Sequence, residues 1–390
     1  MTPTLNIDKS NWKKYRFDDV CRQVNESSKN PAEDGLVHVI GLEHIEPNNL
    51  HITQWDTLEK ETTFTRKFVK GQVLFGRRRA YQRKVAYAEF DGICSGDILV
   101  FEAIKDKMVP ELLPFLIQSD GFFAKALETS AGSLSPRTKF KELADYEFLL
   151  PPLAEQQRLA ELLWAADEMI EKEKRELEGV ELYKQTCIST YLLGGDKKLS
   201  LRDLGTVIRG VGYKPENTFD DYNLGSFVLL RSNNISTNFR INFDDVYYID
   251  KSVLKDEQRL QENDIVICMS NGSKELVGKT AEFTGSKYEA VSVGSFCAIY
   301  RPKESKYSSL IKFLFQSLEY RKQIALLLSG SNINNLKPSD IEEVKFGVSN
   351  LDDSREISNK LNAVENDICM LSRQIAKSQE VKQEIINKIF

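Results

Sequence analysis

The chain has 390 residues, of which 41% are hydrophobic and 28% charged, and a formal net charge of −5 at pH 7. This composition is typical of a folded soluble protein with room for two domains, and its acidic balance argues on average against binding to nucleic acid. No apolar run approaches the ~20 residues of a membrane span, residues 1–14 are too polar for a signal peptide, and the six well-separated cysteines suit reduced thiols. We therefore expect a cytoplasmic protein.

Residues 12–150 alternate short apolar runs with turn residues and then continue into an amphipathic stretch. Apolar runs of this length predict strands, and the amphipathic stretch predicts a helix. The second half of the chain repeats the pattern. The predicted strands cover residues 36–42, 72–75, 84–90, 97–102, 227–231, 264–269, 279–284 and 293–300, and the predicted helices cover residues 112–127 and 309–328. The predicted fold class is therefore α+β, with two α/β domains that are pseudo-repeats.

Two heptad-patterned stretches, 198 residues apart, each close one half of the chain. Ile170 and Leu177 in the first stretch correspond to Ile368 and Ile375 in the second. Apolar residues at alternating spacings of three and four predict long helices that pair as a coiled coil. The predicted seam consists of Leu159, Leu163, Ala166, Ile170, Leu177, Ile357, Leu361, Val364, Ile368, Leu371 and Ile375.

The ends of both long helices carry typical signals. Two prolines at 151–152 precede the first helix, which is predicted to end near residue 193 at the glycines of 194–196. The second helix is predicted to begin at residues 352–354, which are good N-cap residues. A helix of ~33 residues is ~50 Å long, and the linker 194–199 is short. The second helix can therefore run back along the first, as an antiparallel pair with one domain at each end.

The predicted boundaries follow from these signals. They are 1–150 for the first globular domain, 151–195 for the first coiled-coil helix, 196–350 for the second domain and 351–390 for the second helix. Two separate amphipathic helices, each packed on its own domain, remain the alternative.

A strongly basic stretch lies in the first half. Residues 66–84 contain eight lysines and arginines and no acid, and residues 77–84 form a predicted loop between two strands. Arginine matches guanine and phosphate oxygens, glutamine matches adenine, and lysine serves phosphate. We predict nucleic-acid contact here, with a solvated charged loop as the alternative. The candidate residues are Arg77, Arg78, Arg79, Tyr81, Gln82, Arg83 and Lys84.

Three further segments are candidates because they occupy matching positions. The loop after the predicted strand 264–269 offers hydroxyls and amides in place of arginines. That difference suits a domain that binds a different sequence, and it would also result from drift of a surface loop. One polar segment follows the globular helix in each half. These candidates are Arg137 and Lys139 in the first half, and Ser270, Asn271, Ser273, Lys274, Asn332, Asn334, Asn335 and Lys337 in the second.

No arrangement of residues indicates a catalytic or metal site. Residues 277–280 resemble the end of a phosphate-binding loop, but Ser273 stands where that pattern needs glycine. The three histidines fit no standard metal spacing. The sequence has no Asn-Pro-Pro-aromatic or Asp-Pro-Pro-aromatic tetrapeptide and no glycine-rich loop of the kind that holds S-adenosylmethionine. We therefore predict a non-catalytic chain.

Residues 150–159, Leu-Pro-Pro-Leu-Ala-Glu-Gln-Gln-Arg-Leu, open the first long helix, and a stretch from Gly132 to Leu143 precedes them. This motif, together with tandem variable domains that are each followed by a long helix, resembles the specificity subunit of type I restriction-modification systems. The resemblance covers essentially the whole chain. The second copy departs from it, since residues 349–353 lack the double proline and the Glu-Gln pair.

The resemblance implies a non-catalytic subunit that recognises double-stranded DNA. Each domain would bind one half of a bipartite site, and the coiled coil would set the spacer. Such subunits assemble with two modification subunits, which methylate adenine, and with restriction subunits. S-adenosylmethionine, ATP and Mg²⁺ would then belong to those partners. A protein-binding scaffold with an oligomerising coiled coil is the alternative, against which the basic loop argues, and an enzyme with its own active site is a third possibility.

Overall fold

The computed structural model describes residues 7–330, 334–349 and 354–390. The chain forms two compact units, Met1–Arg175 with Ser372–Phe390, and Glu176–Leu371. Each unit mixes helices and sheets, which confirms the predicted combination of secondary structure.

Among its described residues, from 7 onward, the first unit contains nine short strands and the beginning of a long helix. Its strands are β1 (Lys13–Arg16), β2 (Cys21–Val24), β3 (His38–Ile40), β4 (Arg66–Phe68), β5 (Val73–Gly76), β6 (Val85–Tyr87), β7 (Gly92–Cys94), β8 (Ile98–Ala103) and β9 (Glu147–Leu150). Its helices are α1 (Phe17–Val20), α2 (Leu113–Gln118), α3 (Asp120–Glu128), α4 (Phe140–Leu143) and α5 (Leu153–Cys187), the last of which continues into the second unit.

An antiparallel sheet of four strands, in the order β2-β8-β5-β6, carries the core of the first unit. β8 is one of its central strands because its first four residues are apolar and buried on both faces. Phe75 of β5 and Phe101 of β8 are completely buried, and their ring centroids are 5.9 Å apart. A three-stranded sheet, β3-β7-β4, and the pair β1-β9 complete the unit.

The second unit has the same kind of construction. Its strands are β10 (Leu193–Ser200), β11 (Gly205–Arg209), β12 (Thr218–Phe219), β13 (Ser226–Leu230), β14 (Tyr247–Asp250), β15 (Ile265–Cys268), β16 (Thr280–Glu282), β17 (Val291–Val293), β18 (Cys297–Pro302) and β19 (Lys345–Val348). Its helices are α6 (Leu201–Leu204), α7 (Ser305–Gln316), α8 (Leu318–Ser329), α9 (Pro338–Glu342) and the first part of α10 (Ser354–Ile389).

The described part of the second unit is organised by two four-stranded sheets and one strand pair. The antiparallel sheet β11-β18-β15-β16 has an apolar central strand, β18, in the place that β8 has in the first unit. The sheet β12-β14-β13-β17 is antiparallel except for β13 and β17, which are parallel. β10 pairs with β19.

The structure corrects the two predicted globular helices, because a serine interrupts each of them. Ser119 separates α2 from α3, and its hydroxyl caps α3 by accepting from the backbone N–H of Phe122 at 3.3 Å. Ser317 separates α7 from α8 and accepts in the same way from Tyr320 at 3.1 Å. A capping serine inside an apolar periodic stretch does not disturb the periodicity, so the sequence pattern predicts one helix where there are two.

Two more predictions need correction around the second unit. α5 ends at Cys187 and continues as a π-helical stretch, Ile188–Leu192, so the α-helix stops before residue 193. The predicted linker 194–199 lies within strand β10. The predicted strand 293–300 is two strands, β17 and β18, separated by a turn. The N-cap residues predicted for α10 at 352 and 353 lie outside the described residues.

A buried charged group joins the long helices in the first unit. Asp167 of α5 forms an ion pair with Lys382 of α10 and accepts a hydrogen bond from Nε2 of His51 at 2.9 Å. Burial alone would raise the pKa of Asp167, but the hydrogen bond from His51 and the charge of Lys382 hold this pKa below its ordinary value. An unpaired buried charge is very costly, so this group favours one register of the two helices. The carboxylate of Glu173 accepts a hydrogen bond from the side-chain amide of Gln374 at 2.7 Å. Glu173 follows Asp167 along α5, whereas Gln374 precedes Lys382 along α10, so these segments are antiparallel.

The second unit contains a matching ion pair between the same two helices. Lys184 of α5 donates to Glu365 of α10 at 2.8 Å, and Lys312 donates to the other carboxylate oxygen at 2.8 Å. Lys184 lies 198 residues before Lys382, and Asp167 lies 198 residues before Glu365. The lysine that interrupts the apolar pattern of each long helix is therefore buried, and it forms an ion pair with the other helix. All eleven predicted seam residues are buried or half-buried.

Raising the pH from 6.5 to about 8 should destabilise the first unit. The hydrogen bond to Asp167, and the more weakly placed Glu89 at 3.3 Å from Nδ1, favour the protonated ring and raise the pKa of His51 from 6.5 to about 8. Because the folded-state pKa is the higher one, this stabilisation is complete below the unfolded pKa and is lost as the pH rises through the folded pKa. We expect the free energy of unfolding to fall by about 1–2 kcal/mol, measured by urea denaturation at each pH.

A His51→Gln variant is the control for this pH dependence. Its amide can still donate to Asp167 but does not titrate, so the decline over this pH range should disappear. A wild-type free energy of unfolding that stays constant over the same range would contradict the assignment to His51.

Candidate nucleic-acid interface

The basic loop begins where β5 ends. Arg79 and Arg83 have φ angles of 53° and 52°, in the left-handed region that non-glycine residues seldom adopt, and they flank the single 3₁₀ turn Ala80–Gln82. Gln82 N–H donates to the carbonyl of Arg79 at 2.9 Å, which closes the turn. Two left-handed arginines in one short loop indicate a backbone shape that the surrounding structure imposes.

Three backbone hydrogen bonds hold the basic loop against two other segments of the first unit. Arg77 N–H donates to the carbonyl of Asp97 at 3.0 Å, Thr138 N–H donates to the carbonyl of Arg77 at 3.1 Å, and Arg79 N–H donates to the carbonyl of Pro136 at 2.8 Å. We call this set of three bonds the loop frame. It brings two candidate segments, 77–84 and 137–139, into one cluster.

Positive charge dominates this cluster. Arg137 donates to both carboxylate oxygens of Asp97, at 2.7 and 3.2 Å, and a guanidinium nitrogen of Arg78 lies 3.6 Å from the same carboxylate. The hydrogen bond from Arg137 and the nearby guanidinium charges hold the pKa of Asp97 below its ordinary value. Burial and the neighbouring Arg66 lower the pKa of Arg77. One carboxylate therefore faces several arginines, and the surplus charge is available to an anion.

Arg77 also has an unused donor. Its Nε is buried and makes no hydrogen bond to any of the described residues. A buried polar atom without a partner costs ~1–3 kcal/mol, so such atoms are rare and often mark a place where something binds.

The remaining candidates of the basic loop fall into two groups. Arg83 lies over the ring of Phe123 at 4.4 Å and donates to the carbonyl of Gln118 at 2.9 Å, and Lys84 donates to the carbonyl of Leu42 at 2.6 Å. The side chains of Arg83 and Lys84 are therefore bonded to other residues of the first unit. By contrast, Tyr81 and the neighbouring candidate Lys139 are exposed, while Arg79 and Gln82 are half-buried, as Arg83 and Lys84 are.

The second unit repeats the loop frame with the same three bonds. Met269 N–H donates to the carbonyl of Phe296 at 2.9 Å, Leu336 N–H to the carbonyl of Met269 at 2.8 Å, and Asn271 N–H to the carbonyl of Asn334 at 3.4 Å. The loop after β15 and the segment before α9 are thus joined like their counterparts in the first unit.

Hydroxyl and amide groups replace the arginines in the second cluster. The side chain of Asn271 donates to Ser232 at 3.3 Å and accepts from Ser273 N–H at 3.0 Å, while Asn334 donates to the carbonyl of Gly272 at 3.2 Å. These bonds fix the loop. Of the other candidates, Ser273, Lys274, Asn335 and Lys337 are exposed and Ser270 is half-buried, whereas Asn332 lies outside the described residues.

Two residues of these clusters are absent from the sequence-based candidates. Asp97 and Phe296 occupy the same position of the loop frame, each in the turn just before a central strand. Their proximity to the loops results from long-range backbone bonds, for which the sequence carries no periodic signal. Ser135, in the predicted polar segment that ends at Arg137, accepts a hydrogen bond from Nε of Arg78.

One group of possible metal ligands lies elsewhere in the first unit. Side-chain atoms of Glu43, His44 and Asp56 come within 4.8 Å of one another. Asp56 already pairs with Lys60 at 2.8 Å, and Nδ1 of His44 accepts from Gly41 N–H at 2.9 Å. Local pairing accounts for this group, so we assign no metal to it. None of the described helices is both long and apolar enough to cross a bilayer.

The first half of the chain matches a known family. Residues 9–182 correspond to the type I restriction modification DNA specificity domain. Over 163 residues the chain is 36% identical to the specificity subunit of the type I restriction enzyme EcoKI from Escherichia coli strain K12, a match that covers 41% of this chain and 34% of that subunit. It is 35% identical over 163 residues to the StySPI specificity subunit from Salmonella potsdam, with the same coverage. The match thus spans about a third of the length of these relatives.

Solved structures share the fold over the whole chain. A chain from a structure on the complex assembly and conformational transition of the type I R-M system is 18% identical, with a TM-score of 0.56 and 97% coverage of both chains. The type I restriction-modification S subunit from M. genitalium is 13% identical, with a TM-score of 0.51 and coverage of 100% and 99%. At these identities the likeness concerns the fold alone.

The first half of the chain therefore resembles a type I restriction modification DNA specificity domain. Over that half it is also similar to the specificity subunits of two type I restriction enzymes.

Proposed function

We propose that this chain is the DNA-reading subunit of a type I restriction-modification complex and that each unit binds one half of a bipartite site. The observation that carries the proposal is the repeated loop frame with different side chains. Arginines contact Asp97 in the first cluster, whereas the second cluster, to which Phe296 belongs, carries hydroxyl and amide side chains. Base edges are distinguished by such side chains, so two copies of one backbone arrangement with different side chains suit two different half-sites.

The first cluster suits guanine and phosphate. The fork of an arginine bonds two acceptors at once, as guanine O6 and N7 or two phosphate oxygens require. Arg77 and Arg78 are the best-placed donors, because the loop frame fixes their backbone and Arg77 keeps an unused Nε. Lys139 and Tyr81 are exposed enough to contact the DNA backbone.

The two long helices, in this proposal, form a coiled coil that sets the spacer between the half-sites. The matching ion pairs Asp167–Lys382 and Lys184–Glu365 support it, as does the burial of the seam residues. The recognition domains then comprise residues 1–150 and 196–350, and the helical segments residues 151–195 and 351–390. Half-sites read from one side of B-DNA would be centred about one helical turn, ~10 bp, apart.

The chemistry of the complex would reside in its other subunits. Two modification subunits would methylate adenine and use S-adenosylmethionine, and restriction subunits would use ATP and Mg²⁺ for translocation and cleavage. This chain would hold none of these cofactors and would contribute double-stranded DNA recognition. A protein-binding scaffold is the alternative, and a duplex affinity that does not change with salt concentration would favour it.

Mapping methylated adenine in a host genome, with and without this gene, tests the proposed function. We expect one bipartite motif to lose its methylation when the gene is removed and to regain it when the gene is restored. A methylation pattern that does not depend on the gene would reject the proposal.

The purified chain should transfer no methyl group to DNA when it is supplied with radiolabelled S-adenosylmethionine. The physical reason is that the sequence provides neither a methyltransferase tetrapeptide nor a loop for this cofactor. The positive control is the same chain co-expressed with its modification subunits. Incorporation of label by the chain alone, above that of a heat-inactivated sample, would show an enzyme rather than a reading subunit.

A further inference from the structure

Phe296 is an exposed aromatic residue in the loop cluster of the second unit. It lies in the turn between β17 and β18, where Cys297 N–H donates to the carbonyl of Gly294 at 2.8 Å, and 69% of its surface is exposed. Turn positions usually carry small or polar residues. Single exposed apolar residues are common on protein surfaces, so the place of Phe296 in the cluster matters more than its exposure.

Backbone bonds attach Phe296 directly to the candidate DNA-binding residues. Its carbonyl accepts from the N–H groups of Met269 at 2.9 Å and Ser270 at 3.2 Å. Ser270 in turn pairs with Asn335 in an antiparallel bridge. Phe296, Ser270 and Asn335 are therefore neighbours in one small surface, and Asn335 is exposed.

The same three positions carry charged residues in the first unit. Asp97 occupies the place of Phe296, and the bridge between Arg78 and Arg137 corresponds to the bridge between Ser270 and Asn335. At these three positions the second unit thus has no arginine fork that could match guanine. It presents an amide and an aromatic face at equivalent points instead.

We propose that Phe296 and Asn335 read an A·T base pair, with Phe296 against the C5-methyl group of thymine and Asn335 bonded to adenine. This inference rests on the proposed function, namely that the loop clusters bind duplex DNA. In the major groove the thymine methyl is an apolar contact, and an asparagine amide matches N6 and N7 of adenine. No other natural base pair offers that combination, which agrees with the side chains that the second cluster presents.

Replacing thymine by deoxyuracil tests the inference, because this substitution removes the C5-methyl group and leaves the base pairing intact. The probe is a duplex that carries the motif obtained from methylation mapping, with each thymine of the two half-sites replaced in turn. The protein is the full chain in complex with its modification subunits. At one thymine of one half-site we expect the dissociation constant to rise about fourfold, as expected for one methyl group of apolar contact.

The Phe296→Ala variant should bind the thymine duplex more weakly and should no longer distinguish it from the deoxyuracil duplex at that position. Phe296→Leu should retain part of the difference, and Asn335→Ala should relax the preference for adenine in the same base pair. The matched control is Leu224→Ala, which removes another exposed apolar residue of the second unit (86% exposed) outside the cluster. An unchanged melting temperature would show that each variant is folded.

Two results would overturn the inference while leaving the proposed function intact. One is equal binding of the wild-type complex to the thymine duplex and to every deoxyuracil duplex. The other is a Phe296→Ala complex that retains the full difference. A wild-type complex without sequence preference would instead reject the proposed function, and the inference with it.

Discussion

The methylated motif should gain about three non-specific base pairs between unchanged half-sites when one heptad is inserted into each long helix, after Leu177 and after Ile375. Seven helical residues add ~10 Å, and this length corresponds to ~3 bp if the helices lie along the DNA, and to fewer if they are tilted. The ion pair Lys184–Glu365 lies on one side of the two insertion points, and the contact of Glu173 with Ser378 lies on the other side. Each contact therefore stays within segments whose sequence is not changed. A whole heptad preserves the seam, so both helices can still pair. Methylation mapping measures the new spacer.

Insertion of the heptad into α5 alone is the control for this experiment. It leaves the opposing seam unmatched, so the complex should lose stability and methylate poorly. If the double insertion changed a half-site sequence and kept the old spacer, the helices would not set the spacing.

Replacing both Arg77 and Arg78 by alanine should weaken DNA binding strongly and relax the motif in one half-site only. Each lost phosphate contact lowers the slope of log affinity against log salt by ~0.9, and each lost bidentate contact to guanine costs ~1–3 kcal/mol. Together the two replacements should therefore cost about 2–6 kcal/mol if both arginines contact bases. The measurements are duplex affinity over a range of salt concentrations and the methylated motif.

Arg83 is left unchanged in this variant because it supports the fold through Gln118 and Phe123. A charge-matched control replaces Lys13 and Lys29, which are exposed in the same unit outside the loop cluster. That control should change the salt slope and the motif little. Unchanged affinity and motif in the Arg77 and Arg78 variant would remove these residues from the interface.

Much of the fold could be predicted because buried strands carry a direct signal. The apolar runs of β5 and β8 are short, bounded by turn residues and buried on both faces, and both were predicted within a residue or two. The turn between β17 and β18 was missed because only Gly294 and Ser295 interrupt the apolar run before Phe296 continues it. The strand β10 was predicted as a linker, since its glycines and lysines carry no strand pattern and it forms by pairing with β19.

The candidate site could be predicted only in part. Composition indicated the basic loop, and the 198-residue repeat indicated its counterpart. The contacts that assemble each cluster join residues 20 to 67 positions apart through backbone atoms, and backbone bonds leave no mark on residue type. For that reason the contributions of Asp97 and Phe296 emerge only from the structure, as does the internal bonding of Arg83 and Lys84.

The loop frame has a consequence for how the binding specificity of such a protein can change during evolution. Its bonds join main-chain N–H and carbonyl groups, which every residue except proline supplies in full. Mutation of the side chains at these positions therefore leaves the frame intact, as Arg77 in one unit and Met269 in the other illustrate. Under the proposed function, new base preferences would arise by single substitutions without loss of folding, and the two half-sites would diverge independently.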